Sequence, residues 1–102
     1  MPRTRSEASR LFGARLRARR LELGCSQYDI AHLSGVDLAN YGRLERGGGN
    51  PTLTTIVQLA ITLSMDPADL VTGLAEDGML PEVDRPYSAL DYIAARRQQE
   101  GR

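Results

Sequence analysis

One glycine, Gly35, lies between two short helical patterns, and this arrangement limits the possible folds more than any other feature of the sequence. Ser26 and Asp37 are suited to cap the N-termini of the two helices. Gly35 accepts the positive φ of a tight turn, and the small side chain of Ala31 lets the two helices cross closely. We expect three apolar side chains to seat the second helix on a core: Val36, Tyr41 and Leu44. The pattern therefore predicts two helices joined by one tight turn.

Further helical patterns flank this pair. Apolar residues recur at helical spacing over residues 7–23, and Gly24 ends that pattern. Residues 52–63 and 66–74 carry N-cap residues followed by apolar periodicity. The chain has four Tyr, one Phe and no Trp, so its core must consist mainly of Leu, Ile, Val and Ala, which suits helices packed on helices. The sequence predicts an all-α fold with a compact five-helix domain over residues 7–74.

The helical spacing also predicts which side chains face the core. In the first helix we expect the apolar side to carry Leu11, Phe12, Ala14, Leu16 and Leu21. In the second helix it should carry Ile30, Ala31 and Leu33. Cys25, between them, is expected to be a small buried apolar residue.

The two ends of the chain have a different composition. Residues 1–6 are expected to form a disordered arm. Residues 75–102 combine an acidic, Pro- and Gly-containing linker with a last helical pattern that begins after Ser88. That pattern has only a narrow apolar stripe, so a sixth helix would have to dock on its own domain, a second copy or a partner, or else be disordered.

Charge is divided unequally along the chain. Residues 1–50 contain nine arginines and five acidic residues, a net charge of +4, whereas the whole chain has a net charge of zero. A basic half beside an acidic half suggests that one surface meets a polyanion, although chance segregation of solvated charges gives the same count.

Several separate signals agree on one family. The stretch from Leu11 to Leu70 resembles the Cro/CI-type (XRE family) helix-turn-helix proteins, which include phage repressors and bacterial regulators. The residues that carry the resemblance are Arg20 upstream of Leu23-Gly24, Ser26-Gln27, Ala31, Gly35, Leu44-Glu45-Arg46-Gly47 and Pro51-Thr52-Leu53. The resemblance implies a lambda-repressor-like domain whose third helix lies in the major groove of DNA.

The resemblance also implies which residues bind DNA. The candidates that face the bases are Asp37, Leu38, Ala39 and Arg43, with Asn40 adjacent. Arg43 is suited to bind guanine with two hydrogen bonds. Gln27, Arg46 and Asn50 are the candidates for phosphate contacts. Asp37 has a competing interpretation as a plain N-cap. Gln27 has one as a surface polar residue, and Arg46 and Asn50 have one as parts of a solvated loop.

Arg20 and Glu45 are expected to form a structural salt bridge, because the family pairs a first-helix Arg with the Glu that ends the recognition helix. Tyr41 departs from the family, which usually has a β-branched aliphatic residue at this place. We expect its ring to pack in the core and its hydroxyl to reach solvent or a phosphate.

Enzyme chemistry is not indicated. His32 and Cys25 are single residues of their types, and no catalytic, metal-binding or cofactor-binding spacing appears. We expect a protein that is no enzyme and needs no cofactor or metal. The N-terminal sequence lacks the apolar region of a signal peptide and no apolar run could span a membrane, so the expected location is the cytoplasm.

The function predicted from these features is a sequence-specific transcriptional regulator that binds double-stranded DNA. We expect a dimeric repressor that reads a palindromic operator through the helix at residues 37–46. The dimer surface is expected either on the fourth and fifth helices or at residues 87–99. The alternative is an antitoxin of a toxin-antitoxin pair, which binds DNA for autoregulation and a toxin protein through residues 75–102. A restriction–modification operon would favour a controller protein.

Overall fold

The computed structural model describes residues 5–81 and 88–101. This part of the chain contains six helices and no strand, in agreement with the predicted all-α class, and the sixth helix is present. The helices are α1 (Glu7–Leu23), α2 (Gln27–Ser34), α3 (Leu38–Glu45), α4 (Leu53–Thr62), α5 (Pro67–Val71) and α6 (Ala89–Glu100). Most of the predicted arm (residues 1–4) and part of the predicted linker (residues 82–87) lie outside the described residues.

Every helix begins at a side chain that accepts a hydrogen bond from a backbone N–H of the first turn. The six capping residues are Ser6, Ser26, Asp37, Thr52, Asp66 and Ser88. Ser26 forms a full capping box, because its own N–H donates to Asp29 Oδ2 at 2.8 Å. These local bonds satisfy N–H groups that have no acceptor inside the helix, so the helix starts are set by single residues.

The first five helices enclose one core. α1 contacts α3 and α5, α2 contacts α3 and α4, and α4 contacts α5. The buried apolar residues come from all five: Phe12, Leu16, Ile30, Ala31, Tyr41, Leu44, Leu59, Ala60, Leu63 and Leu70.

Three predicted core positions are wrong: Leu33, Leu21 and Ala14. Leu33 is 68% exposed, and the buried residues of α2 are instead Ile30, Ala31 and Ser34. These three lie within one arc of the helix that is centred on Ser34, and Leu33 falls outside that arc. Leu21 and Ala14 of α1 are likewise exposed, because they lie on the side opposite the buried residues.

α1 and α3 touch at a glycine. A Cβ atom on Gly13 would lie 2.2 Å from the carbonyl oxygen of Leu44 and 2.7 Å from that of Glu45. Gly13 is buried and lies in the interior of α1. At such a position glycine lowers helix stability by about 1 kcal/mol relative to alanine. The close approach of the two backbones explains why a glycine is needed here.

Two α1 arginines hold the ends of other helices. Arg15 Nη1 donates to the carbonyl oxygens of Leu70 and Thr72, at 3.1 and 2.7 Å. Arg19 Nε donates to Leu63 O at 2.9 Å, and its Nη2 to Ser64 O at 3.1 Å. The C-terminal carbonyls of α4 and α5 carry partial negative charge, so these guanidinium groups are internal helix caps.

The C-terminal part of the chain begins beside α1. Ala8 N–H donates to Met79 O at 2.9 Å, which ties the segment after α5 to the first turn of α1. α6 has no buried residue, and Leu90 and Tyr92 are exposed. The Arg96 guanidinium lies 5.3 Å from the centroid of the Tyr92 ring, a cation–π contact within the helix.

Candidate nucleic-acid interface

The third helix has one buried and one exposed side. Tyr41 and Leu44 are almost fully buried, and Leu38 is 47% exposed. Ala39 and Arg43 are also exposed, and they lie one helical turn apart. The exposed side therefore presents two apolar side chains and one guanidinium to solvent.

The turn between α2 and α3 fixes the orientation of that exposed side. Gly35 has a φ of +77° and its N–H donates to Ala31 O at 3.0 Å. Val36 N–H donates to the same oxygen at 3.1 Å. Asp37 Oδ2 then accepts from Asn40 N at 3.1 Å and so begins α3. Asp37 thus lies at the N-cap, which was one of its two predicted roles.

A buried ion pair holds the other end of α3. Arg20 Nε lies 2.6 Å from Glu45 Oε2, and Arg20 Nη2 lies 3.0 Å from Glu45 Oε1. The two side chains are 11% and 2% exposed. Arg20 Nη1 also donates to Cys25 O at 3.0 Å, so one guanidinium binds α3 and the turn before α2. This is the geometry expected of a structural clamp.

Two further side chains join this cluster. Tyr41 Oη donates to Glu45 Oε2 at 2.6 Å, and Gln27 Nε2 donates to Glu45 Oε1 at 3.0 Å. The expectation that the Tyr41 hydroxyl reaches solvent or a phosphate is therefore wrong. A buried hydroxyl needs a partner, and the buried carboxylate one turn away on the same helix supplies it. We call these four residues, Arg20, Gln27, Tyr41 and Glu45, the clamp.

The clamp keeps Glu45 ionised. Burial acts to raise the pKa of the Glu45 carboxyl, but hydrogen bonds from Arg20, Tyr41 and Gln27 outweigh it, and the pKa lies below its ordinary value of 4.5. Burial and the hydrogen bond to Glu45 together raise the pKa of the Tyr41 hydroxyl. The hydrogen bond to Glu45 also raises the pKa of the Arg20 guanidinium, which is charged at neutral pH in any case. At neutral pH the charge of Glu45 is balanced inside the protein.

Gln27 connects the clamp with the start of α2. Its Oε1 and Arg46 Nη1 both lie close to Gly42, at 3.4 and 3.1 Å from where a Cβ atom would be. The side chains of Gln27 and Arg46 therefore converge over α3. The N–H groups of Gln27 and Tyr28 are the first two of α2 and have no acceptor within that helix. This corner combines N–H donors, the positive end of a helix dipole and a guanidinium, which suits an anion.

The loop after α3 supports Arg43. Gly48 N–H donates to Arg43 O at 2.9 Å. Arg43 Cγ lies 3.0 Å from where a Cβ atom of Gly48 would be, so the aliphatic part of the Arg43 side chain rests on the loop. Arg46 and Asn50 are exposed on either side of the same loop.

The predicted DNA-binding residues thus fall into two groups. Exposed residues on or beside α3 are Asp37, Leu38, Ala39, Arg43, Arg46 and Asn50, and half-buried ones are Gln27 and Asn40. Arg15, Arg19 and Arg20 bind inside the protein instead. Only part of the positive charge of residues 1–50 is therefore free on the surface.

Sequence reasoning missed Gly13 and the fourfold clamp. The signal for Gly13 was a glycine inside a 17-residue helix, which calls for a packing reason. The i, i+4 spacing of Tyr41 and Glu45 was the available signal for their hydrogen bond, whereas the contact of Gln27 with Glu45, 18 residues away, had no local signal. Cys25 is only half-buried, and its Sγ lies 3.8 Å from Leu23 O.

In the described residues, no helix is both long and apolar enough to cross a membrane.

Comparison with known proteins gives one family. The sequence model of the helix-turn-helix family matches residues 16–70. A relative from Sinorhizobium fredii, named as the uncharacterized HTH-type transcriptional regulator y4dJ, is 35% identical over 67 residues, which cover 66% of this chain and 87% of the relative.

Solved structures agree with this result. The restriction-modification controller protein C.AhdI from Aeromonas hydrophila is 42% identical, with a TM-score of 0.59, and the match covers 61% of this chain and 94% of that one. The clp gene regulator ClgR from Corynebacterium glutamicum is 25% identical, with a TM-score of 0.58, over 62% of this chain and 82% of that one. The five-helix, lambda-repressor-like domain predicted from sequence is therefore confirmed.

Proposed function

Because the chain belongs to the Cro/CI-type helix-turn-helix family of DNA-binding transcriptional regulators, we propose that it is a dimeric repressor that reads a palindromic operator through α3. The exposed side of α3 carries this proposal. Three features of the structure orient that side towards solvent. They are the Asp37 N-cap, the buried Tyr41 and the ion pair of Glu45 with Arg20. A helix held in this way can enter the major groove without reordering, which lowers the cost of binding.

The contacts divide into two kinds. Arg43 would bind a guanine edge, since it is the one exposed residue of α3 that carries a guanidinium. The corner formed by the start of α2 and Arg46 would hold a phosphate, with Asn50 across the loop as a second phosphate contact. Gln27 would act there through its backbone N–H, because its side-chain amide already donates to Glu45.

The dimer surface is best supplied by α4. Three apolar side chains four residues apart remain exposed there: Leu53, Val57 and Ile61. Leu53 and Ile61 are 75% and 72% exposed, and such a continuous stripe is more than the scattered apolar residues of an ordinary surface. α4 contains no charged residue, so two copies could pack about a two-fold axis without burying charge.

Selection of bound sequences from a random pool of double-stranded DNA tests the function. We expect enrichment of a palindrome whose half-sites are about one helical turn apart. Enrichment of one unrepeated site would reject the dimer, and no enrichment would reject sequence-specific binding.

A charged residue in the α4 stripe tests the dimer. Ile61→Lys should give a monomer in sedimentation equilibrium and should bind the palindrome far more weakly, whereas Leu21→Lys on the exposed side of α1 should remain a dimer. A dimeric Ile61→Lys protein would move the dimer surface elsewhere, with α6 as the next candidate.

One relative makes a narrower function worth testing. C.AhdI, which is 42% identical, is a restriction-modification controller protein. Location of the selected operator upstream of restriction–modification genes in the source genome would favour a controller, and location elsewhere would reject it. The antitoxin alternative depends only on the tail at residues 75–102 and has no further support.

A further inference from the structure

The first turn of α3 has an unusual surface for a helix that enters the major groove. Leu38 is 47% exposed and Ala39 is exposed beside it. Neither belongs to the core, to which α3 contributes Tyr41 and Leu44. The Asp37 carboxylate at the start of this turn is engaged in the turn itself, since its Oδ2 accepts the backbone N–H of Asn40.

An apolar surface at this place can recognise only an apolar group on the DNA. In the major groove of unmodified DNA that group is the 5-methyl of thymine. We propose that Leu38 and Ala39 read the 5-methyl group of one pyrimidine in each half-site, and that they discriminate by burying this methyl rather than by hydrogen bonding. This inference rests on the proposed function, because it assigns part of the readout to that same helix.

The geometry of α3 also limits where that pyrimidine lies. Ala39 and Arg43 are four residues apart on the exposed side, a rise of about 6 Å along the helix. This distance corresponds to about two base-pair steps. The methyl-bearing pyrimidine should therefore lie within about two base pairs of the guanine read by Arg43.

Replacement of thymine by deoxyuridine removes the methyl and leaves every hydrogen-bonding group unchanged. After the operator has been selected, each thymine of the half-site is replaced in turn, and binding of the full chain is measured. At one position we expect a loss of about 4-fold for one half-site and about 15-fold when both are changed, as expected for one buried methyl each. At the other thymines the loss should be less than about 2-fold.

The side chain is assigned by a double-mutant cycle. In Leu38→Ala the deoxyuridine substitution at that position should have little further effect, because the main apolar partner of the methyl is already gone. Leu21→Ala is the matched control, since Leu21 is 52% exposed on α1; it should keep the full deoxyuridine effect. Circular dichroism checks that both variants are folded.

The outcomes separate this inference from the proposed function. An operator that is bound equally well with thymine or deoxyuridine at every position overturns the methyl readout and leaves the regulator intact. If Leu38→Ala loses the same affinity for the thymine operator and the deoxyuridine operator, the deoxyuridine effect is undiminished. That result overturns the assignment to Leu38. Failure to enrich any sequence, which is observed before any base is changed, overturns the proposed function and the methyl readout together.

Discussion

The two sides of α3 differ in what determines their residues. The buried side is specified by the protein itself: Tyr41 and Glu45 bind each other, and Glu45 also binds Arg20 and Gln27. The exposed side, with Leu38, Ala39 and Arg43, has few constraints from the fold. α3 is held in place through its buried side, so residues on its exposed side can be changed at little cost to stability. Substitutions on the two sides should therefore affect different measurements.

The largest expected effect is the loss of Glu45. Glu45→Ala would leave Arg20 buried without its counter-ion and Tyr41 and Gln27 without their acceptor. Breaking a buried pair from one side costs about 3–5 kcal/mol, and urea denaturation should show a loss of this size in the free energy of unfolding.

Glu22→Ala is the control for that measurement. Glu22 forms an exposed ion pair with Arg19 at 3.2 Å, and such pairs contribute about 0–1 kcal/mol. A loss in Glu45→Ala no larger than in Glu22→Ala would mean that the clamp does not hold α3.

Gly13→Ala should have the next largest effect. At an unhindered helix position this change would stabilise the protein by about 1 kcal/mol. Here the new Cβ atom meets the carbonyl oxygens of Leu44 and Glu45, so we expect a net destabilisation of about 2–3 kcal/mol. The sign of the change in urea denaturation is the test, and Ala14→Leu, which adds apolar volume on the exposed side of α1, should change stability very little.

The sequence contained enough local information to predict most of the fold. Helix starts depend on single capping residues, such as Ser26 and Asp37, and helix ends on glycines, such as Gly24 and Gly35. Both signals are local, so the predicted bounds agree closely with the structure. The positions of the DNA-binding candidates followed from the family resemblance once α3 was located.

The contacts that the sequence could not predict are those between distant residues. Arg15 binds a carbonyl 55 residues away, and Arg19 binds one 44 residues away. Nothing local distinguishes these arginines from surface arginines. The direction of the Tyr41 hydroxyl was predicted wrongly although Glu45 is only four residues away, because the burial of Glu45 depends on its pairing with Arg20, 25 residues away.

Acid should weaken the buried side of α3 selectively. The pKa of Glu45 is lower in the folded protein than its ordinary value of 4.5, so Glu45 stabilises the fold fully above that value. This contribution is lost as pH falls below 4.5 and through the folded-state pKa. Urea midpoints measured from about pH 7 down to about pH 3 should fall more steeply for the natural protein than for Glu45→Gln, which cannot ionise. Parallel curves would mean that folding does not lower the pKa of Glu45.

The smallest effect on folding is expected on the exposed side, at Arg43. Arg43→Ala removes a side chain whose guanidinium has no partner among the described hydrogen bonds and ion pairs, so the free energy of unfolding should change by less than about 0.5 kcal/mol. Binding to the selected operator should nevertheless weaken by about 1–3 kcal/mol, and discrimination should be lost at one base position of each half-site. Measurement of both quantities on one preparation, with Arg17→Ala on the exposed side of α1 as the control, tests the separation of the two sides. A variant that loses stability as much as affinity would show that Arg43 belongs to the support of α3, and unchanged binding would remove Arg43 from the readout.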